Sequence, residues 1–259
     1  MPIWNPDQYL KFRNERTQPS LDLIARIALE NPATIIDIGC GPGNSTGALR
    51  RRWPGANLIG LDSSSEMIVA AQKDYPQGEW INADAASFRP NRQYDLVFSN
   101  ATLQWIHHHT TLIPTLFDLV APGGALAVQV PSTGDSPLVQ AVREVAASSR
   151  WRDLTAGCES LNNYRTAEYY YPILHSISIF FELWQTTYYH ILKSHKGLIE
   201  WYRGTGMKPF LDRLPNDAAR MEFESEVLHA VTPHYPLQAD GRVLFPFKRV
   251  FFIVYRQSN

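Results

Sequence analysis

The feature that most constrains the fold is an apolar segment that stops at a glycine-rich loop and is followed at once by a helical pattern. ATIIDIG (33–39) has the composition of a buried strand, and the loop continues as CGPGN (40–44). Glycines let the backbone turn tightly and come close to a ligand. A strand, a glycine turn and a helix in this order predict a ligand-binding loop at the carboxyl end of a strand in a parallel sheet.

The rest of the first half repeats this alternation, which is typical of a parallel sheet covered on both faces. Ser63 and Glu66 have capping-box spacing, so a helix is expected to start there. Beyond residue 131 the pattern becomes irregular and helical, and two late β-rich runs are expected to pair and join the sheet edge. The predicted strands are 33–39, 57–62, 79–84, 94–100, 123–130, 181–192 and 243–256, and the predicted helices of the first half are 19–30, 44–53, 63–73 and 110–120.

These elements predict an α/β fold with a doubly wound, mostly parallel, seven-stranded sheet, an antiparallel C-terminal edge and helical cap insertions. We expect a single domain over 1–259, with an N-terminal lid segment at 1–18 and a cofactor-binding core at 31–131. The insertions at 133–160 and 194–236 are predicted to cap the end of the sheet where the ligand binds.

Charge and composition exclude several classes of partner. The 259 residues carry a formal net charge of -1, so no global positive field is available to hold nucleic acid. The two cysteines, Cys40 and Cys158, do not have the spacing of a zinc site or a disulfide framework. We find no signal-peptide pattern and no membrane-spanning apolar stretch. We therefore expect a cytoplasmic protein without nucleic-acid or membrane partners, and the oligomeric state stays unknown.

The loop differs from a dinucleotide-binding loop at two positions. A G-x-G-x-x-G loop would need its third glycine at position 44, where this chain has Asn44, and Asp37 lies two positions before Gly39. A pyrophosphate requires free amides and a positive helix end, and an adjacent carboxylate would repel it. A carboxylate instead fits a cationic ligand such as S-adenosylmethionine, which carries an ammonium group and a sulfonium. The loop therefore disfavours a nucleotide-dependent oxidoreductase.

Polar side chains also follow the next three strands. Asp62 ends the second strand roughly 20 residues beyond the loop, where a carboxylate accepts bonds from both ribose hydroxyls of an adenosine ligand. Asp84 and Ala85 follow the third strand, where an acidic group can bind the adenine amino group while a small neighbour admits the ring. Ser99 and Asn100 end the fourth strand and are expected to face the methionine end of the ligand. Ligand-facing groups at four successive strand ends indicate an S-adenosylmethionine site.

Segments spread over the whole chain resemble the class I S-adenosylmethionine-dependent methyltransferases and, within them, the family that methylates trans-aconitate. The loop and the acidic strand end are shared by the superfamily, whereas the tail segments are more specific. The resemblance implies a Rossmann-like methyltransferase fold and transfer of a methyl group to one carboxylate of trans-aconitate, giving a monomethyl ester and S-adenosylhomocysteine. The segments are WNPDQYLKF (4–12), IDIGCGPGNST (36–46), LDSSSEMI (61–68), SNATLQW (99–105), WQTTYYH (184–190) and YPLQADG (235–241).

The resemblance also implies which residues bind the cofactor. In this family the N-terminal segment folds over the cofactor, which adds two residues of that segment to those of the strand ends. The complete set is Tyr9, Arg16, Asp37, Gly39, Cys40, Gly41, Asn44, Asp62, Ser63, Met67, Asp84, Ala85 and Asn100.

Carboxyl methylation needs no catalytic base, because a carboxylate with a pKa near ~4 is already ionised at neutral pH. We assign no catalytic side chain and expect catalysis from holding the reacting oxygen and the methyl carbon in line, in a site cleared of water. The remaining carboxylates of a tricarboxylate acceptor need cations, preferably arginine, whose planar fork makes two bonds. The candidates are Arg203, Tyr188, His190 and Arg16; Arg203 is favoured for its place beside Trp201 and Tyr202, and the other basic residues considered are Arg13, His195, Lys208, Arg242, Lys248 and Arg249.

His107, His108 and His109 do not predict a metal site, because consecutive side chains point in different directions. A solvated loop or a helix start is expected there, and no metal cofactor. Two alternatives stay open. The chain could methylate another small carboxylic acid or small molecule, or it could bind S-adenosylmethionine without catalysis, since the chemistry requires no diagnostic catalytic residue.

Overall fold

The computed structural model describes residues 13–258, and of residues 13–16 it describes the backbone alone. Over this range helices and strands alternate as the sequence predicts. The helices are α1 (Arg13–Arg26), α2 (Asn44–Arg52), α3 (Ser65–Asp74), α4 (His109–Asp118), α5 (Pro137–Ala147), α6 (Ala167–Ile177), α7 (Lys196–Arg203), α8 (Lys208–Leu211) and α9 (Asp217–Val231), with 3-10 turns at Leu103–Trp105, Cys158–Leu161 and Thr232–His234. The strands are β1 (Thr34–Ile38), β2 (Asn57–Asp62), β3 (Glu79–Asn82), β4 (Tyr94–Asn100), β5 (Val120–Pro131), β6 (Phe181–Leu192) and β7 (Val243–Tyr255).

The seven strands found within residues 13–258 form one sheet in the order β3-β2-β1-β4-β5-β7-β6. The pairs from β3 to β5 are parallel, and β7 runs antiparallel to β5. The predicted doubly wound sheet with an antiparallel C-terminal edge is therefore confirmed. Strand order reverses between β1 and β4, so the crevice at their carboxyl ends is where a sheet of this type binds its ligand.

The chain divides into two compact units, and within the described residues their boundaries fall at the end of β5, between residues 164 and 165, and within β6 and β7. The larger unit comprises the described residues of 4–131, 165–186 and 249–259. One face of its sheet forms a cluster of buried side chains with α4 and α6, including Ile113 and Tyr170. The buried side chains of α1, α2 and α3, such as Leu23 and Leu49, lie outside that cluster, and these helices cover the other face.

The smaller unit comprises residues 132–164 and 187–248 within the described part of the chain. Helices α5 and α9 pack together, and Trp151 contacts Phe223 edge to face at 5.7 Å between ring centroids. The predicted single domain, lid, core and cap insertions stay predictions. No helix in the described part of the chain is both long and apolar enough to cross a bilayer.

Two local predictions were wrong. Helix α1 spans Arg13–Arg26 rather than 19–30, so Ala28 lies beyond its end and is exposed. The residue that caps α3 is Ser64 rather than Ser63: its hydroxyl accepts a bond from the Met67 amide at 3.3 Å. The shift by one residue follows from Asp62, whose carboxylate binds the Ser64 amide and so turns the chain there before the helix begins.

Candidate active site

The glycine loop follows β1 and is held against the neighbouring strand. The amides of Gly39 and Cys40 both donate to the Leu61 carbonyl, at 2.7 and 3.0 Å. Gly39 has φ +71°, and a Cβ placed there would lie 2.1 Å from the Thr102 side chain. Both the left-handed backbone and the close approach of Thr102 therefore require glycine at this position.

Asp62, at the end of β2, binds the same loop from the other side. Its Oδ2 accepts a bond from the Gly41 amide at 2.9 Å, and its Oδ1 accepts one from the Ser64 amide at 2.9 Å. Burial raises the pKa of this carboxyl, and its hydrogen bonds with backbone amides oppose the rise. Gly41 has φ +55°, and a Cβ placed there would meet no atom of the described residues within 4 Å. The loop therefore faces open space beside a carboxylate.

Asp37 is buried in β1, two residues before the first glycine. Its Oδ2 accepts bonds from the hydroxyls of Ser45 and Thr46, both at 2.6 Å, whereas its Oδ1 has no hydrogen-bond partner among residues 13–258. Burial raises the pKa of Asp37 to about 6, and the hydroxyl bonds act in the opposite direction. A cation near the free oxygen would favour the ionised form.

The ends of β3 and β4 supply the other predicted groups. Asp84 is exposed, and its carboxylate accepts a bond from the Ala86 amide at 2.9 Å; Ala85 is buried. The Oδ1 atom of Asn100 is buried and finds no hydrogen-bond partner in the described residues, and the next residue, Ala101, has φ +54°. Strained backbone of this kind concentrates at ligand sites, because binding geometry takes priority over local stability there.

The remaining cofactor candidates lie along the same loop and the helices that follow it. Asn44 begins α2, Ser63 is exposed beside Asp62, and Met67 is buried in the first turn of α3. Cys40 is buried, and burial together with the charges of Asp37 and Asp62 raises the pKa of its thiol. A neutral thiol is a poor nucleophile, so Cys40 has a packing role in the loop.

Two predicted cofactor residues are not tested by the structure. Tyr9 lies outside the described residues, and so does the side chain of Arg16. The structure therefore leaves both as predictions.

The acceptor candidates of the smaller unit already make contacts within the protein that the sequence did not predict. Arg203 donates from Nε and Nη2 to the two carboxylate oxygens of Glu224, the Nη2 bond at 2.6 Å. His190 is buried, and its ring centroid lies 4.2 Å from that of Trp201. Tyr188 is partly buried in β6. Because its fork is already paired, Arg203 is a weaker candidate than its sequence neighbourhood indicated, and all three roles stay predictions.

His107 and His108 are exposed as expected, whereas His109 is buried, so the predicted solvated loop is wrong for His109 alone. Its side chain is buried, with Nδ1 3.0 Å from the Tyr170 hydroxyl and Nε2 2.7 Å from the Leu103 carbonyl. The helix start was correct, since α4 begins at His109. Burial lowers the pKa of His109, so the ring is neutral and structural. Within residues 13–258, no group of three histidine, cysteine or acidic side chains is placed to hold a metal ion.

Sequence reasoning missed buried carboxamides near the ends of β4 and β5. The side chains of Gln104 and Gln129 are buried, and each has one amide atom that no group of residues 13–258 hydrogen-bonds. The signal available in the sequence was a glutamine inside an otherwise apolar run, GGALAVQV (123–130). A lone polar residue in a strand buried on both faces needs a partner, and this one was overlooked.

Comparison with known proteins decides the family. A methyltransferase domain model matches residues 9–175. The trans-aconitate 2-methyltransferase of Azoarcus sp. (strain BH72) is 42% identical over 259 residues, covering 99% of this chain and 100% of that protein. The enzyme of that name from Methylobacterium nodulans is 43% identical over 257 residues, covering 99% of each. The chain belongs to the trans-aconitate 2-methyltransferase family.

Solved structures agree on the fold. Phosphoethanolamine N-methyltransferase 2 of Haemonchus contortus, in complex with S-adenosyl-L-methionine, aligns with a TM-score of 0.58 at 17% identity. The alignment covers 93% of this chain and 53% of that one. A member of the trans-aconitate 2-methyltransferase family thus has the sheet that S-adenosylmethionine-dependent methyltransferases share, and the protein is a methyltransferase of that type.

Proposed function

We propose that the protein transfers a methyl group from S-adenosylmethionine to a carboxylate of trans-aconitate, giving a monomethyl ester and S-adenosylhomocysteine. The full-length similarity to enzymes with this name supports the acceptor. The observation in the structure that carries the proposal is the loop at Gly41, which faces open space between strand-end carboxylates. A cationic adenosyl donor fits that charge, and a pyrophosphate does not.

The residues present fit the donor. The Oδ1 atoms of Asp37 and Asn100 are buried acceptors to which no described residue donates, which suits a ligand that brings an ammonium group. Asp62 keeps acceptor capacity beyond its two backbone bonds, because each carboxylate oxygen can accept twice. We assign the donor to Asp37, Gly39, Cys40, Gly41, Asn44, Asp62, Ser63, Met67, Asp84, Ala85 and Asn100, and the predicted contributions of Tyr9 and Arg16 belong to the same proposal.

The chemistry asks little of the side chains beyond placement. When bound, S-adenosylmethionine supplies an electrophilic methyl group on a sulfonium. The acceptor carboxylate is ionised at neutral pH, so no protein group has to remove a proton. The residues of the site bind both molecules, align the attacking oxygen and keep water out. No catalytic side chain is therefore assigned, and the cytoplasmic location and the absence of nucleic-acid and membrane partners stay predictions.

Methyl transfer to a panel of acids tests the proposal. The protein is incubated with methyl-labelled S-adenosylmethionine and a series of di- and tricarboxylates, and the products are assayed for base-labile methyl esters. We expect trans-aconitate to be esterified with the highest kcat/KM. Esterification of a different acid with higher kcat/KM contradicts the acceptor, and label in an amine or phenol contradicts carboxyl transfer. Cofactor binding without any transfer would indicate a non-catalytic binding protein.

A further inference from the structure

A glutamine of β5 has an unsatisfied atom at a fully buried position. Gln129 is 0% exposed, and its Oε1 accepts a bond from the Arg249 Nη1 at 3.1 Å. Its Nε2 atom is buried and has no hydrogen-bond partner in the described part of the chain. A buried N–H without an acceptor destabilises the fold by about 1–3 kcal/mol. Such a group needs an explanation, and a ligand that supplies the missing acceptor is one.

The register of the sheet places this glutamine next to the candidate active site, within the larger unit. Gln129 is paired with Asn100 of β4, whose Oδ1 also lacks a partner, and Asp37 of β1 is paired with Phe98 of the same strand. Because alternate residues of a strand share a face, Asn100 lies on the same face as Phe98 and Asp37. Gln129 therefore lies on the same face of the sheet as Asp37, the carboxylate that we assign to the cofactor, and near the same carboxyl ends of the parallel strands.

Arg249 lies on that face as well, on the far side of Gln129. It is paired with Pro131 in the antiparallel ladder and is only 4% exposed. Its Nη1 donates to the neutral amide of Gln129. Two residues on, Phe251 stacks on Trp184 at 5.1 Å between ring centroids and adds a flat apolar wall. Asp37, Asn100, Gln129 and Arg249 thus form a row on one face of the sheet. Its Gln129 and Arg249 end presents N–H donors, one of them a cationic side chain, beside aromatic surface.

We propose that Arg249 and Gln129 bind a carboxylate of the acceptor. The inference rests on the proposed function, because it takes the acceptor to be a carboxylic acid with more than one carboxylate. A guanidinium and an amide N–H are both donors, and a carboxylate offers two oxygens that accept from such a pair. The acidic groups at the β1 and β2 ends would repel the same carboxylate. The acidic side chains thus favour the cationic methyl donor at one end of the row, and Arg249 and Gln129 favour the anionic acceptor at the other.

Gln129→Glu tests this assignment with minimal change in shape. The new carboxylate would pair with Arg249 inside the protein and take the position of the acceptor carboxylate. We expect trans-aconitate to bind the S-adenosylhomocysteine complex about tenfold more weakly than in the wild type, by titration calorimetry, with a matching rise in KM. We expect kcat and the affinity for S-adenosylhomocysteine to change less than about twofold. A merely structural glutamine would leave acceptor affinity unchanged, since the new ion pair preserves the contact.

Arg249→Lys is the second variant, because lysine keeps the charge but loses the fork. The matched control is Arg256→Lys, which changes an arginine just beyond the other end of β7, where its Nη2 donates to the Phe117 carbonyl at 2.8 Å. We expect Arg249→Lys to weaken acceptor binding about tenfold and the control to leave it unchanged. If Arg249→Lys fails to fold, Gln129→Glu decides.

Three results would overturn the assignment, and they are distinguishable. Acceptor affinity within about twofold of wild type in folded Gln129→Glu overturns it directly. An equal loss in the Arg256 control overturns it by showing a general effect of disturbing the strand. A wild-type protein that neither binds nor esterifies any carboxylic acid overturns the proposed function, and this inference with it, before any variant is made.

Discussion

The carboxyl edge of the sheet in the larger unit has two ends of opposite charge. At the β1 and β2 end, Asp37 and Asp62 are held by hydroxyls and backbone amides of the glycine loop and the helices after it. At the β5 and β7 end, Gln129 and Arg249 bind each other. The same parallel sheet positions both pairs. The fold therefore supplies the location, and the charge of a few side chains decides which ligand each end can accept.

The two ends also differ in whether backbone conformation or side chains determine their shape. The acidic end is built on glycines at positive φ and on amides that bind Asp62, so its shape is sensitive to backbone changes. The cationic end consists of side chains on regular strands, so a change of one side chain alters its charge with little effect on its shape. We expect substitutions at the acidic end to affect stability and cofactor binding together.

The largest effect is expected in the glycine loop. Gly39→Ala combines a left-handed backbone with a Cβ 2.1 Å from the Thr102 side chain. We expect it to lower the free energy of unfolding by about 3 kcal/mol and to abolish S-adenosylhomocysteine binding. Urea denaturation and titration calorimetry measure the two effects. If this variant is as stable as the wild type, the shape of the acidic end does not depend on its glycine backbone.

In the same loop, Gly41→Ala distinguishes the effect of backbone strain on stability from the effect of a contact between the added Cβ and the cofactor. With no atom within 4 Å of the added Cβ, we expect a loss of only about 1 kcal/mol in stability but more than about tenfold in cofactor affinity. Gly241→Ala, at φ +75° and also without neighbours within 4 Å, is the control: it should show the same strain and bind the cofactor normally. Normal binding by Gly41→Ala would show that the cofactor does not use the open space.

The next effect concerns Asp62. Asp62→Ala leaves the Gly41 and Ser64 amides without their acceptor and removes the group assigned to the ribose. We expect S-adenosylhomocysteine affinity to fall about tenfold to a hundredfold, by titration calorimetry. Asp95→Ala is the control, because Asp95 accepts bonds from the amides of Ala33 and Thr34 at the start of β1, at the opposite edge. It should lose stability and keep affinity, and an equal loss of affinity would make the Asp62 effect structural.

A smaller effect, with a defined pH dependence, is expected at Asp37. Its pKa is raised from 3.8 to about 6 in the folded protein, so the folded state keeps a proton that the unfolded state has lost in that window. Stability should therefore decline as pH rises from 3.8 to about 6, and Asp37→Asn should remove this slope and add about 1–2 kcal/mol at pH 7. Urea denaturation across this pH range measures it, and an unchanged slope would contradict a buried, proton-binding Asp37.

The same carboxyl should make cofactor binding depend on pH. A cationic ligand binds the ionised form better, so the affinity for S-adenosylmethionine should rise about tenfold between pH 5 and pH 7 in the wild type. Asp37→Asn should show a flatter profile. If titration calorimetry finds the same pH dependence in both proteins, Asp37 does not face the charged part of the cofactor.

The smallest effect distinguishes neighbouring serines at the end of β2. Ser64→Ala removes the cap of α3 and should lower the free energy of unfolding by about 1 kcal/mol without changing cofactor affinity. Ser63→Ala should leave stability unchanged and lower S-adenosylhomocysteine affinity by about threefold. Thermal denaturation and calorimetry on both variants measure this, and the reverse pattern would exchange the two roles.

The elements that the sequence predicted best are those whose signal is local. Strands β2 and β4 have the predicted bounds, Asn57–Asp62 and Tyr94–Asn100, because continuous apolar runs end there at polar residues. The burial of His109 was not predicted because part of its surroundings, including Tyr170, comes from 61 residues away in the chain. Arg203 was overvalued for a similar reason, since Glu224 lies 21 residues further along the chain.

The sequence by itself determined the alternation of strands and helices, the glycine loop and the acidic character of the strand ends, because period, turn chemistry and charge are properties of short segments. The tertiary structure alone decided the pKa of Asp37, the pairing of Gln129 with an arginine 120 residues away, and which polar atoms lack partners. Ionisation and hydrogen bonding depend on burial and on groups brought from distant parts of the chain, and no local pattern contains that information.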